Sequence, residues 1–185
     1  MSRRTAPLPL AATLACMLLA LSLAGCGFKL RGAAPLPFAQ AYVEAGAATV
    51  SAAGIASGYT SQRTASQIGP LLRQNLTANG KLATGREAAS VIIRLNEEGR
   101  EKNILSLSGS GKVREYRLVQ RVTLSAVDQD GKLILAPAII QLNRDFSYSD
   151  EEIMAKEAEE VQLLREMEQD MLRLILRRLG YVSRP

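Results

Sequence analysis

The stretch KVREYRLVQRVTLSAV, Lys112–Val127, alternates between two kinds of side chain over its whole length. One side of an extended chain would carry Tyr116, Leu118, Val122, Leu124 and Ala126. The other side would carry Arg117, Val119, Arg121, Thr123 and Ser125. A period of two residues is typical of a β-strand with one buried face, so this segment predicts a long strand at the centre of the fold.

Turn signals on both sides of this strand predict an antiparallel meander. Ser108-Gly109-Ser110-Gly111 precedes it and Asp130-Gly131 follows it, the latter a strong hairpin signal. The neighbouring strands are predicted at Ser90–Leu95, with pairing resuming at Ile104–Leu107 beyond the charged segment Glu97–Lys102, and at Lys132–Tyr148. Pro137 predicts a bulge or a sheet edge in the last strand.

Two amphipathic helices flank the meander. The first is predicted over Ser61–Asn79, with apolar residues at helical spacing and Gly69-Pro70 as a bend or false start. A capping box at Ser149-Asp150-Glu151-Glu152 opens the second helix, which Gly180 can close. Its apolar stripe for packing on the sheet comprises Leu164, Met167, Met171, Leu172, Ile175 and Leu179.

A short strand at Ala41–Ala45 completes the predicted fold. Because a helix separates it from the meander, it can join the sheet in parallel by a crossover connection. We therefore predict an α+β fold, a four-stranded mixed sheet, mostly antiparallel, with two helices packed on one face. The other face, bearing Arg94, Arg117 and Arg121, would remain for solvent or a partner.

The N-terminus predicts export and lipidation. Arg3 and Arg4 precede an apolar run, and Leu23-Ala24-Gly25-Cys26 resembles the bacterial lipobox, which is cut before its cysteine. We predict a signal peptide at 1–25, a lipidated tether at 26–37 and a single domain at 38–185. Acyl chains on Cys26 would then hold the protein at a membrane surface. A retained membrane span is the alternative, but Pro7 and Pro9 interrupt a run that is already short for one.

Composition excludes several kinds of chemistry. The chain has no histidine and no tryptophan, and Cys16 would leave with the signal peptide. Ser-His-Asp and Cys-His catalysis and zinc sites of the His or Cys type are therefore excluded. The acidic residues cluster on the C-terminal helix, where a solvated face explains them. We expect no enzymatic activity, no metal, no cofactor and no nucleic-acid partner.

A basic strand surface is the remaining candidate site. Lys112, Arg114, Arg117 and Arg121 fall within ten residues and alternate with apolar side chains. The arginine fork matches phosphate and the apolar neighbours suit acyl chains, so an anionic lipid would satisfy both features. An equally good interpretation is a solvated face with ion pairs to Glu97, Glu98 or Asp145.

The segment Cys26-Gly27-Phe28-Lys29-Leu30-Arg31-Gly32 resembles the mature N-terminus of the lipopolysaccharide (LPS)-assembly lipoprotein family, LptE. The likeness continues in the helix ending Leu76-Thr77-Ala78-Asn79-Gly80 and in the later segments Arg114-Glu115-Tyr116, Arg144-Asp145-Phe146 and Ala155-Lys156.

The resemblance implies an outer-membrane lipoprotein of a Gram-negative bacterium that faces the periplasm. Such a protein plugs an LptD-type barrel, assists its assembly, and binds LPS for delivery to the cell surface; Gly27 fits the outer-membrane sorting pattern. A generic lipoprotein scaffold binding protein or peptidoglycan is the alternative function.

One lipid-contacting position of the family carries over to Lys156, whose alternative role is an exposed lysine pairing with Glu152 or Glu160. A second basic position of the family falls near Gly109, so Lys112 or Arg114 would have to replace it.

Overall fold

A computed structural model describes residues 36–46, 62–64 and 67–182. The predicted signal peptide, Cys26 and nearly all of the predicted tether lie outside the described residues. The strands are β1 (Ala41–Ala45), β2 (Gln62–Thr64), β3 (Val91–Leu107), β4 (Val113–Asp128) and β5 (Leu133–Ser147). The helices are α1 (Ile68–Ala78) and α2 (Ile153–Leu179), the latter preceded by a short 3-10 turn, Asp150–Glu152. None of the helices in the described part is both long and apolar enough to cross a membrane.

The main sheet has the strand order β1-β3-β4-β5. β1 runs parallel to β3, and the other neighbours are antiparallel. The short β2 pairs with the Arg100–Lys102 part of β3. It follows β1 along the same edge, because β4 occupies the opposite edge of β3. The predicted α+β class, a four-stranded mixed sheet with two helices, is confirmed, and β2 is an addition to it.

One face of the sheet forms the core with both helices. Val122, Leu124 and Ala126 of β4 face it, as the alternation in the sequence predicts. The buried residues that the helices contribute are Ile68, Leu72 and Leu76 of α1 and Met171, Ile175 and Leu179 of α2. Farther along the sheet, Leu118, Phe146 and Met167 form a second, smaller cluster.

Helix α1 begins at Ile68, so the predicted start at Ser61 is wrong. Gln62–Thr64 is extended and pairs with β3 instead. Pro70 then lies in the first helical turn, where its missing N–H has no intrahelical partner to lose. Gly69 lets α1 pack closely on β1, since a Cβ there would lie 3.1 Å from that of Ala45.

Strand β3 is continuous through the charged segment that was predicted to interrupt it. Asn96 lies opposite Thr123 and Gly99 opposite Arg121, so β3 carries one extra residue at a β-bulge. Glu97 adopts φ 53° within it. Because one residue is inserted, the side chains that face the helices change from odd-numbered to even-numbered positions, and Arg100 and Lys102 point inward.

Of two further local predictions, the one for β5 is confirmed and the one for the start of α2 is wrong. One of the two register shifts of β5 adds a residue at Ala136-Pro137. The strand pairs only with β4 among the described residues, so the predicted bulge and edge are both confirmed. The reciprocal capping box is not formed as expected. Ser149 Oγ accepts from the Glu151 N–H at 3.3 Å, in the 3-10 turn rather than at the start of α2.

Candidate functional site

The predicted basic residues fall into two groups, one at an end of the sheet and the other on one of its faces. Lys112 and Arg114 lie at the tip, defined as the end where the β3–β4 turn meets the first turns of α2. Lys156 belongs to the same end. Arg117 and Arg121 lie on the helix-free face, the side of the sheet that bears neither α1 nor α2. Since Arg114 and Arg121 are seven residues apart, about 23 Å along the strand, one small ligand cannot contact the whole set.

Arg117 is paired with Asp145 on the neighbouring strand. Its Nε and Nη2 donate to the two carboxylate oxygens at 2.7 and 2.8 Å. This hydrogen-bonded pair lowers the pKa of Asp145 and raises the pKa of Arg117. The ion-pair interpretation is therefore the one that the structure supports for this residue.

Arg121 also has a cross-strand partner. Its Nε and Nη2 donate to Gln141 Oε1 at 3.1 and 2.9 Å, and Gln141 donates onward to Asn143. Neither of the two glutamates expected to form ion pairs with these arginines does so among the described contacts. Glu97 accepts from Thr123, and the Glu98 side chain is buried on the helix side. The helix-free face is thus a ladder of polar groups that already satisfy one another.

Lys156 is less accessible than the sequence suggested. Its side chain is 15% exposed, and its Nζ lies 2.9 Å from Glu159 and 3.0 Å from Ser147 Oγ. The expected partners, Glu152 and Glu160, are not the ones used. Lys156 therefore holds the first turns of α2 against the end of β5.

The tip combines accessible cations with exposed apolar side chains. Lys112 Nζ lies 3.0 Å from Asp150, but 70% of the lysine side chain remains exposed. Arg114 is exposed and makes no side-chain hydrogen bond or ion pair with the rest of the described chain. Leu105 and Leu107 are 40% and 45% exposed, and Leu107 lies opposite Val113, next to both cations. This arrangement suits an anion attached to hydrocarbon.

The sequence did not indicate that Lys102 supports the tip from within the domain. Lys102 Nζ lies 2.5 Å from Glu160 and 4.3 Å from the centre of the Tyr116 ring. Tyr116 in turn contacts Phe146 and Tyr148. Lys102 was assigned to a charged interruption, and only the bulge turns it toward α2. The aromatic residues could have indicated this site, since Tyr116 lies near the start of β4 and Phe146 and Tyr148 lie at the end of β5.

Metal binding has no candidate in the described ranges. Within residues 36–46, 62–64 and 67–182, no three side chains of His, Cys, Asp or Glu are grouped so that they could hold a metal ion.

Comparison with known proteins identifies the family. The model of the lipopolysaccharide-assembly family LptE matches residues 47–179, well over half of the chain. This chain belongs to the LptE family. The predicted family is therefore confirmed, and the matched region does not include the N-terminal segment 26–32 that first indicated it. Family membership identifies an LPS-assembly lipoprotein, and the family is a non-enzymatic component of LPS transport at the bacterial outer membrane.

Solved structures with the same fold are also lipoproteins. The solution structure of an uncharacterized lipoprotein B from Nitrosomonas europaea is 34% identical, with a TM-score of 0.63, covering 82% of this LptE chain and 88% of its own. The rare lipoprotein B from Shewanella oneidensis is 21% identical with a TM-score of 0.54, covering 75% and 91%. A minor lipoprotein from Acinetobacter baumannii is 22% identical with a TM-score of 0.56, covering 82% and 100%. The last two show the fold alone. A search of curated protein sequences finds no match.

Proposed function

We propose that this LptE-family protein binds LPS through its tip while acyl chains on Cys26 hold it in the outer membrane, on the periplasmic side, docked in an LptD-type barrel. The observation that carries the proposal is Arg114. It is an exposed arginine without a partner among the described residues, and the paired strand β3 carries the exposed Leu105 and Leu107 at the same end. Lipid A presents phosphates next to acyl chains, so one surface of this kind meets both parts of the ligand.

The geometry ranks the predicted basic residues. Arg114 and Lys112 can reach a phosphate without breaking a bidentate hydrogen-bonded contact. Arg117 and Arg121 would have to give up their hydrogen bonds to Asp145 and Gln141. Because a buried or satisfied cation gains little from a second anion, we assign the primary contact to the tip and a secondary one to the helix-free face. Lys156 positions the tip rather than contacting lipid.

The start of the described chain and the tip lie at different ends of the domain. Phe38 and Ala41, where the described chain begins, are buried together with Leu179 and Val182 at the end of α2. The first turns of α2 belong to the tip. With 27 residues, α2 spans about 40 Å. The described chain therefore begins at the end of the domain away from the tip.

The tip assignment is tested by charge reversal in the full mature protein purified in detergent. We expect Arg114→Glu to weaken LPS binding about tenfold or more, as measured by calorimetry. Lys112→Glu should weaken it less, because Lys112 is already paired with Asp150. Arg177→Glu is the matched control, an exposed arginine near the other end of α2. Its binding should stay within about twofold of wild type.

Two results would contradict this assignment. One is unchanged LPS binding in both tip variants; the other is an equal loss in the control, which would indicate attraction by net charge alone. Circular dichroism of each variant verifies folding. The anchor and the barrel are tested separately, by mass spectrometry of Cys26 and by asking whether one large barrel protein co-purifies in equal amount.

A further inference from the structure

Lys102 is a cation placed next to an apolar cluster. In the strand pairing it lies opposite Leu118 of the smaller cluster, and the bulge at Glu97 turns its side chain toward α2. Only 25% of that side chain is exposed. Replacing a partly buried ion pair with apolar residues often leaves stability unchanged or raises it, so a gain in stability does not explain a lysine at this position.

The Lys102 ammonium joins α2 to an aromatic group on the sheet. Its Nζ lies 2.5 Å from Glu160 of α2, 4.3 Å from the centre of the Tyr116 ring and 5.6 Å from that of Phe146. A cation over an aromatic ring is attracted to the electron-rich face, and the attraction grows as water is excluded. The side chain is therefore held from two sides, by a carboxylate and by the rings.

The aromatic group continues to Arg114. Tyr116 stacks on Phe146 with 5.8 Å between ring centres and meets Tyr148 edge-on at 5.2 Å. The Tyr148 N–H donates to the Arg114 carbonyl oxygen at 2.8 Å, so these two residues are cross-strand neighbours. Arg114 and Tyr116 are two positions apart on β4, and their side chains therefore point to the same face. The path from Lys102 to Arg114 thus consists of ring contacts and one backbone hydrogen bond.

The first half of α2 meets the sheet at the same end. Lys156 Nζ lies 3.0 Å from Ser147 Oγ at the end of β5, and Leu163 and Leu164 pack on the smaller cluster. These apolar contacts hold the helix on the sheet without fixing its exact position, because the hydrophobic effect is non-directional. A charge-assisted hydrogen bond is directional, and the one that Lys102 donates supplies this restraint.

We propose that Lys102 is a positioning residue for the tip. By contacting Glu160 and the Tyr116 ring at once, it fixes α2 relative to the aromatic group and thereby holds Arg114 where it meets a phosphate. Its own ammonium is occupied by these two contacts, so it acts through Arg114 rather than on the ligand. This role rests on the proposed binding of LPS at the tip.

Calorimetry of LPS binding by the full mature protein in detergent tests this role. Lys102→Met keeps most of the side-chain volume and removes the charge, and it should weaken binding about threefold to tenfold. Lys102→Arg keeps a cation for the carboxylate and the rings and should bind within about twofold of wild type. Because Lys102 acts through Arg114, the double variant Lys102→Met/Arg114→Ala should bind no more than about twofold more weakly than Arg114→Ala.

Met171→Ala distinguishes positioning from a general loss of stability. This core variant, in the half of α2 near the C-terminus, should lower stability in urea at least as much as Lys102→Met. Its LPS binding should nevertheless stay within about twofold of wild type, because it lies away from the tip. If circular dichroism shows that Lys102→Met does not fold, Glu160→Gln removes the same ion pair and should also weaken binding.

Three results would overturn this role. One is unchanged LPS binding in Lys102→Met and Glu160→Gln while Arg114→Ala binds more weakly, which would leave the tip assignment standing. Another is a double variant in which the losses of Lys102→Met and Arg114→Ala simply add. The third is a loss of binding in Met171→Ala as large as that in Lys102→Met. If Arg114→Ala itself binds LPS as wild type does, the tip assignment fails and this role fails with it.

Discussion

Glu97 shows how one backbone position changes the chemistry of a whole strand. A positive φ in a residue other than glycine costs on the order of 1 kcal/mol, and here the flanking strand pairs and the hydrogen bond from Thr123 hold it in place. The extra residue turns Arg100 and Lys102 toward α2. The inward-facing cations of this LptE-family protein thus follow from a bulge rather than from a side-chain pattern.

The Arg117–Asp145 pair gives a residue-scale prediction about pH. Because Arg117 lowers the pKa of Asp145 below its unfolded value near 3.9, the ionised pair stabilises the fold above that pH. The contribution is lost as the pH falls through the folded-state pKa. Wild type should therefore have a higher Tm than Asp145→Asn above about pH 5, with the difference shrinking toward pH 2.

Thermal unfolding at several pH values measures this difference. Asp130→Asn, in the exposed β4–β5 turn, is the matched control and should follow the wild-type profile. A Tm difference for Asp145→Asn that is constant from neutral to acid pH would show that the pair contributes no pH-dependent stability.

At the scale of elements, α2 consists of two halves with different attachments. The fully buried residues Met167, Met171, Ile175 and Leu179 all lie in the half near the C-terminus. The first half is held by the partly buried Leu163 and Leu164 and by the Lys102–Glu160 ion pair, whose side chains are 25% and 21% exposed. Paired charges contribute less net free energy than buried methyl groups, because desolvation offsets their attraction. The first half is therefore the less stable part of the helix.

Two methionines on this helix test the contrast directly. Met171→Ala should lower the free energy of unfolding by about 2–5 kcal/mol, since the side chain is fully buried and leaves a cavity. Met154→Ala, the same change at an 83% exposed position, should alter it by less than about 0.5 kcal/mol. Urea denaturation measures both. Similar losses in the two variants would mean that Met154 is covered in solution.

At the scale of the whole molecule, polar side chains separate the two apolar clusters of the core. Gln120 is fully buried between Leu118 of the small cluster and Val122 of the large one, and Arg100 lies opposite it on β3. Glu168 of α2 lies 3.0 Å from Arg100, although its Oε1 accepts no hydrogen bond in the described structure. The contact is thus mainly electrostatic, and it joins the tip half of the domain to the half that contains α1.

Replacing one partner of this ion pair should destabilise the domain more than replacing both partners with apolar residues. Glu168→Gln leaves Arg100 without a counter-charge and should cost about 2–4 kcal/mol, less than a fully buried pair because both side chains are slightly exposed. The double variant Arg100→Met/Glu168→Leu should recover most of that loss. Urea denaturation gives the comparison, with Asp150→Asn of the exposed Lys112 pair as a control worth under about 1 kcal/mol. A double variant less stable than Glu168→Gln would contradict this account.

Most of the sheet and both helices were predictable from the residues, although β2 and the start of α1 were not. The alternation in Lys112–Val127, the glycine turns and the helical stripe around Met171 and Ile175 each depend on local geometry and on which residues avoid water, and both are readable from residue type and spacing. The family was also readable, because its residue signature lies in a short contiguous segment and in the order of the elements.

Which basic residues are available for binding could not be predicted without the fold. Arg117, Arg121 and Arg114 look alike in the sequence, but strand register gives the first two a partner on β5 and leaves Arg114 free of partners in the described part. The inward orientation of Lys102 and the exposure of Met154 and Val161 on α2 could not be predicted from the sequence either. The physical reason is that register and bulges place residues far apart in the chain opposite one another, and the cost of burying or pairing a charge is set by that distant neighbour.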